Sequence, residues 1–114
     1  MRRIEAVMSS AVDAKLLERV KEAVRQVAPD AVVILYGSRA RGDARPDSDF
    51  DLLVLTDRLA THSLEEEVRK ELYPIELETG AVLTLLLYSK ADWMSAQYRA
   101  MPFHEHVDRD GILL

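Results

Sequence analysis

Two aspartates, a glycine, a serine and an arginine carry the chemistry that can be read from this chain. Asp49 and Asp51 stand two positions apart, immediately ahead of the apolar run Leu52–Leu55. In a strand, residues at i and i+2 point to the same face. Both carboxylates are therefore expected to project together at the mouth of that strand, with Phe50 and Leu52 facing the other way. Paired carboxylates repel unless something positive sits between them. A hard divalent cation suits the pair, because Mg2+ takes oxygen ligands, commonly one or two carboxylates plus substrate phosphates. Upstream, Gly37 and Ser38 end another apolar run, Val32–Tyr36. Gly37 lets a backbone approach a ligand closely. Ser38 offers a hydroxyl and is expected to cap a short helix, whose free N–H groups attract anions. Arg39 and Arg41 add positive charge. A phosphate cradle beside a metal pair on adjacent strands would make a site for a nucleoside triphosphate.

The elements that must position these groups follow from periodicity. Val32–Tyr36 and Leu52–Leu55 read as strands buried on both faces. Before them, Val12, Leu16, Val20, Ala23, Val24 and Val27 recur at helical spacing, and this helix should end before Pro29-Asp30. Ser10 with Asp13 is a candidate capping box for it. Met1–Val7 is a lead-in of undefined shape. After the second strand, Ser63 with Glu66 is a second candidate box, opening a helix with Leu64, Val68, Leu72 and Ile75 on one face. Pro74 should kink or break that helix, and Gly80 should stop it. Ala81–Tyr88 reads as a third buried strand. Ser89 then caps a further helix, with Asp92 at the box position and Tyr88 and Trp93 placed as a hydrophobic staple. Trp93 is accordingly a packing residue rather than a base-stacking platform. The final stretch, MPFHEHVDRDGILL, reads as a helical turn or two and an apolar tail. Phe103, Val107, Ile112, Leu113 and Leu114 either pack on the body or form a partner or dimer surface, so a homo-oligomer stays open.

Composition bounds the possibilities. The chain has 114 residues, 48% of them hydrophobic, with four Gly and four Pro, which suits one domain over 1–114 with an ordinary core. Its formal charge of −5 argues against general nucleic-acid binding. The absence of cysteine removes disulfides, zinc-thiolate sites and thiol nucleophiles. No apolar run approaches membrane-spanning length and no signal peptide is evident, so a soluble cytoplasmic protein without a membrane role is expected. Other polar clusters have plainer readings. His104-Glu105-His106 reads as surface, because alternating residues share a face only in a strand and this segment reads as helix or turn. His62 reads as a solvated histidine. Glu65-Glu66-Glu67 complements a helix dipole. Ser38 as a covalent nucleophile would need a histidine base, and none lies near it in sequence.

Gly37-Ser38, ten residues, then Asp49-Phe50-Asp51 resembles the G-S-x10-D-x-D signature of the nucleotidyltransferase superfamily, which includes polymerase β-like enzymes. The wider wording GSRARGDARPDSDFDLLV is similar to the minimal nucleotidyltransferases of bacteria. Many of those are antitoxins paired with a HEPN-domain ribonuclease toxin. The resemblance implies an α/β (α+β) fold, a small mixed sheet packed by helices with the site at one open edge. It implies Mg2+ and a nucleoside triphosphate, ATP above all, with Asp49 and Asp51 as catalytic metal ligands. Gly37 and Ser38 would cradle the β- and γ-phosphates, with Arg41 nearby; Arg39 falls at a position the motif leaves free. For the antitoxin branch, AMP would pass to a tyrosine of a HEPN toxin. Two alternatives stand beside this reading: a nucleotide-binding antitoxin, catalytically weakened, that neutralises its partner by contact, and a small-molecule transferase of the aminoglycoside kind, for which the chain is short. One departure matters. The superfamily usually carries a third carboxylate on a later strand, which helps hold a metal and draws the acceptor's proton. The later strand here has none, and Glu76 and Glu78 belong to the preceding helix. Nucleotide binding with slow or absent transfer is the expected consequence.

Overall fold

In the computed structural model, residues 1–4 and 11–114 are described, with the side chains of residues 11 and 12 excepted. The capping box at Ser10 lies outside the described residues. The elements, in chain order, are β1 (Arg2–Arg3), α1 (Ala11–Val27), β2 (Val32–Tyr36), α2 (Ser38–Arg41), β3 (Phe50–Thr56), α3 (His62–Thr79), β4 (Leu83–Ser89), α4 (Lys90–Trp93), α5 (Ala96–Arg99), α6 (Pro102–Asp110) and β5 (Ile112–Leu113). The strands form one mixed sheet in the order β1-β5-β2-β3-β4. β2 and β3 are antiparallel, with Tyr36 opposite Asp51, and β3 and β4 are parallel, with Asp51 opposite Thr84. This is the mixed sheet packed by helices that the sequence implies.

Alternation along the strands sends side chains into two cores. Val33, Leu35, Phe50, Leu52, Val54, Leu83 and Leu85 meet the apolar stripes of α1 and α3, including Leu16, Val20, Val24, Val68 and Leu72. Ile34, Leu53 and Leu55 point the other way, onto Trp93, Phe103 and Val107 of α4 and α6. Phe50 and Leu52 do face away from Leu53, as the two-residue period requires. Asp51 shares the parity of Leu53 and Leu55, so it belongs to the second face.

Several local expectations change. The cap of α3 is Thr61, not Ser63; Thr61 is extended and accepts from the Leu64 N–H at 3.1 Å. Pro74 does not break α3, which runs unbroken to Thr79 and ends on left-handed Gly80. Pro74 is exposed, so the carbonyl left without its amide partner can be hydrated. β3 starts at Phe50, two residues before the apolar run, and the third strand covers Leu83–Ser89 rather than Ala81–Tyr88. Ser89 caps α4 by accepting from the Asp92 N–H, and Tyr88 packs on Trp93 at 5.7 Å between ring centroids. Trp93 is buried, as a packing residue should be. The apolar tail is a strand of the sheet: Leu35 pairs with Ile112, the Leu114 N–H donates to the Val33 carbonyl at 2.9 Å, and Ile112 and Leu114 are buried. The lead-in strand β1 lies parallel to it.

Candidate active site

The sheet's strand order brings the C-terminal end of β2 beside the N-terminal ends of β3 and β4. Gly37 follows β2 directly. Its φ of 76° is a left-handed value that side-chain-bearing residues rarely adopt. A Cβ on Gly37 would also collide with Oδ2 of Asp51. Glycine is thus required twice here, by its own backbone and by the carboxylate pressed against it.

Asp51 is half-buried and Asp49 is exposed, one residue outside the strand. The Thr84 hydroxyl donates to Asp51 Oδ1 at 2.7 Å, across the β3–β4 register. Among the described residues no cation lies within ion-pair distance of Asp49 or Asp51. No third Asp, Glu, His or Cys joins them to form a metal-binding group among the described residues. One or two carboxylates, with waters and substrate phosphates completing the shell, are the usual protein share of an Mg2+ site in phosphoryl transfer. The donor set therefore fits Mg2+ carried with a nucleotide. Glu76 and Glu78 are elsewhere: Glu76 accepts from the Leu83 N–H at 3.0 Å, and Glu78 pairs with Arg19 at 2.6 Å.

The loop after β2 departs from expectation at one point. Gly37, not Ser38, is the cap residue of α2, and no side chain caps that helix. The Ala40 and Arg41 N–H groups turn back to the Gly37 carbonyl, each at 3.0 Å, so Ser38 is the first helical residue. The first N–H groups of a helix have no partner within it, and the turn that starts this one, Gly37, lies against the Asp51 carboxylate. The two arginines have separate duties. Arg39 donates to the Ser48 carbonyl at 2.8 and 3.1 Å, to the Pro46 carbonyl at 3.1 Å, and lies 4.1 Å over the Phe50 ring. It straps the Pro46–Ser48 loop to α2 and so sets where Asp49 emerges. Arg41 is half-exposed, 3.4 Å from Asp43. It lines a cavity of 210 Å3 with Tyr36, Gly37, Phe103, His106 and Asp110.

Two neighbours escaped the sequence reading. Tyr36, on the same face as Asp51, packs edge-on against Phe103 at 5.2 Å. Burial, then the nearby Asp51 charge and Tyr88, push its hydroxyl up to about 12, so it keeps its proton and can donate. The strand pairing alone makes Tyr36 a neighbour of Asp51, and no local pattern signals it. The other is the His104 pair. His104 is buried, not surface: it stacks on Trp93 at 4.2 Å, and its Nδ1 lies 3.2 Å from Asp108. His106, two residues on, is exposed and lines the cavity beside Gly37. On a helix, alternate residues diverge, so the two histidines part company. His62 is exposed as expected, 3.1 Å from Glu66.

Comparison with known proteins identifies the family of the chain. Residues 17–96, more than half of the chain, match the nucleotidyltransferase domain family. Spectinomycin 9-adenylyltransferase of Campylobacter jejuni is 29% identical over 70 residues, covering 58% of this chain. The match spans only 27% of that relative's length. A chain in a crystal structure of a toxin-antitoxin with AMP-PNP superposes with a TM-score of 0.58 at 16% identity, over 84% of this chain and 69% of that one. A nucleotidyltransferase of Sulfolobus solfataricus aligns over 87% of this chain and 76% of its own, at 22% identity and a TM-score of 0.48. No helix among the described residues is long and apolar enough to cross a membrane.

Proposed function

The chain belongs to the family of nucleotidyltransferase domains, and we propose on that premise that it binds Mg2+-ATP at Asp49 and Asp51 and transfers AMP, slowly, to a hydroxyl. The acceptor in this reading is a tyrosine of a partner toxin of the HEPN class, and the chain acts as its antitoxin. The observation that carries the nucleotide site is the contact between Gly37 and Asp51, which sets a bare backbone turn against an uncompensated carboxylate. Mg2+ held there would neutralise phosphate charge and clamp the attacking and leaving oxygens. Asp49 and Asp51 are the residues that would hold it. Gly37 and Ser38 present backbone N–H groups to the phosphates, and Arg41 adds a cation.

Slow transfer follows from Thr84. It stands directly opposite Asp51 in the register, where a carboxylate could have taken the acceptor's proton. A hydroxyl cannot be a base at neutral pH, and general-base assistance is worth about 100- to 10,000-fold. A tyrosine acceptor suffers least, because its reference pKa of about 10 lies far below that of an aliphatic alcohol. The same observation supports a second reading, in which the partner is neutralised by contact and transfer is negligible. The Campylobacter relative's name supports adenylyl transfer; the match covers too little of it to carry its acceptor over.

Incubation with α-labelled ATP, Mg2+ and a purified HEPN toxin that the chain neutralises tests the proposal. Weak labelling of a toxin tyrosine by the wild type, raised about 100-fold in Thr84→Asp, is the expected result. Fast stoichiometric labelling by the wild type would show that another base serves the site. No labelling by either protein, with toxin still neutralised, would leave the contact reading.

A further inference from the structure

The strand order gives the site two unlike sides. β4, β3 and β2 lie next to one another, so Thr84, Asp51 and Gly37 follow each other across one end of the sheet. Transfer of a nucleoside monophosphate forms a bond from the acceptor oxygen to the α-phosphorus. It breaks the bond from that phosphorus to the bridging oxygen, and pyrophosphate leaves with the electron pair. The acceptor's proton goes to solvent, since the Thr84 hydroxyl cannot take it. Attacking and leaving oxygens lie roughly in line, so they occupy opposite sides of a phosphorus seated at Asp49 and Asp51.

On the β4 side the strand's own Val82, Thr84 and Leu86 carry no charge, Val82 and Leu86 are exposed, and the Glu76 carboxylate accepts from the Leu83 N–H. The β2 side opens into the cavity between α2 and α6. Among the described residues, the ionisable groups that line that cavity are Tyr36, Arg41, His106 and Asp110. The Asp110 carboxylate is already engaged by Arg109, through two hydrogen bonds of 3.1 Å, and this holds it below the ordinary 3.8. Arg41 lies 3.4 Å from Asp43 across exposed surface, and it also helps hold the Asp110 carboxylate down. His106 has no ion-pair partner among the described residues, and it is near enough to Asp110 to help hold that carboxylate down. Pyrophosphate is a dense anion that only accepts hydrogen bonds. Of the two sides, the one with Arg41, His106 and the Tyr36 hydroxyl suits it, and the β4 side, which carries the Glu76 carboxylate, suits an incoming hydroxyl.

We propose that the cavity between α2 and α6 seats the β- and γ-phosphates of the bound nucleotide, and that His106 is the specificity-determining residue that favours a triphosphate over a monophosphate. This rests on the nucleotide site proposed at Asp49 and Asp51, and adds α6 to it. His106 acts from a separate helix near the chain's C-terminal end, outside the loop that carries the motif.

Calorimetric titration with Mg-ATP and with inorganic pyrophosphate, and NMR titration with AMP, test it on the wild type, His106→Ala, His106→Lys and the double variant Asp49→Asn/Asp51→Asn. His106→Ala should weaken ATP and pyrophosphate by about tenfold, the loss of one charge-assisted contact, and leave AMP unchanged. His106→Lys should retain ATP affinity. Equal ATP affinity in the wild type and His106→Ala would overturn the inference, and so would an equal loss for ATP and AMP. If the double variant alone loses ATP, the nucleotide site stands without His106. If the wild type binds neither ATP nor pyrophosphate, both readings fall together.

Discussion

The β2–β3 pair carries acids at both of its ends, and the protein treats them in opposite ways. At one end Asp30 accepts from the Asp57 N–H at 2.6 Å and from the Thr56 hydroxyl at 3.3 Å. Lys90 closes the cluster, donating to the Asp30 carbonyl at 2.9 Å and lying 3.3 Å from Asp57. The Asp57 amide is the main reason that the Asp30 carboxyl is held below its ordinary 3.8. At the other end Asp51 has one neutral hydroxyl donor and a glycine pressed against it, and no cation reaches Asp49 or Asp51 among the described residues. The first arrangement is complete within the chain and serves the fold. The second leaves negative charge unmatched, which costs stability unless a ligand supplies the cation. Acids of like number and similar setting thus divide by whether the fold satisfies them.

The contrast can be broken by substitution. Replacing both Asp49 and Asp51 by Asn should weaken Mg-ATP binding by at least about 100-fold, close to 2.7 kcal/mol, with the fold retained. Without ligand the melting temperature should hold or rise, because like-charge repulsion is gone. Unchanged affinity in calorimetry would remove the nucleotide-site assignment. Next in size is Gly37→Ala, which meets both a strained backbone and the Asp51 carboxylate. A stability loss of about 1–3 kcal/mol is expected in urea denaturation, together with loss of ATP binding as Asp51 is displaced.

At the opposite end, Asp30→Ala should cost about 1 kcal/mol, discounted for exposure, and should leave ATP affinity untouched. Its pH dependence has a definite sign. Because the folded carboxyl titrates below 3.8, its contribution is fully present above that value and is lost as pH falls through the lower, folded value. The difference in stability between wild type and Asp30→Ala should therefore shrink on acidification below about pH 4. A difference that grew instead would contradict the assignment. Smallest is Thr84→Val, which removes one donor from a half-exposed carboxylate that water can reach. About 0.5 kcal/mol is expected from thermal melts. A cost above about 2 kcal/mol would show that Asp51 depends on Thr84 as Asp30 depends on its neighbours, and the contrast between the two ends would fail.

Much of this was determined by local chemistry that the sequence states openly. The two-residue spacing of Asp49 and Asp51, the glycine after a buried strand, the stripes of α1 and α3, and the caps at Ser89 and Gly80 each depend on neighbours within a few positions. Periodicity and turn chemistry reach that far. Tertiary structure alone decided what lies across from what. It set Thr84 opposite Asp51, Tyr36 beside it, and the C-terminal strand between β1 and β2. It buried His104 on Trp93 while leaving His106 beside Gly37. It turned Arg39 into a strap for the Pro46–Ser48 loop and left Arg41 at the cavity. The physical reason is common to all of these. Strand register and helix rotation are settled by packing many side chains at once, and pairs such as Asp51 and Thr84, 33 positions apart, carry no local mark of their meeting.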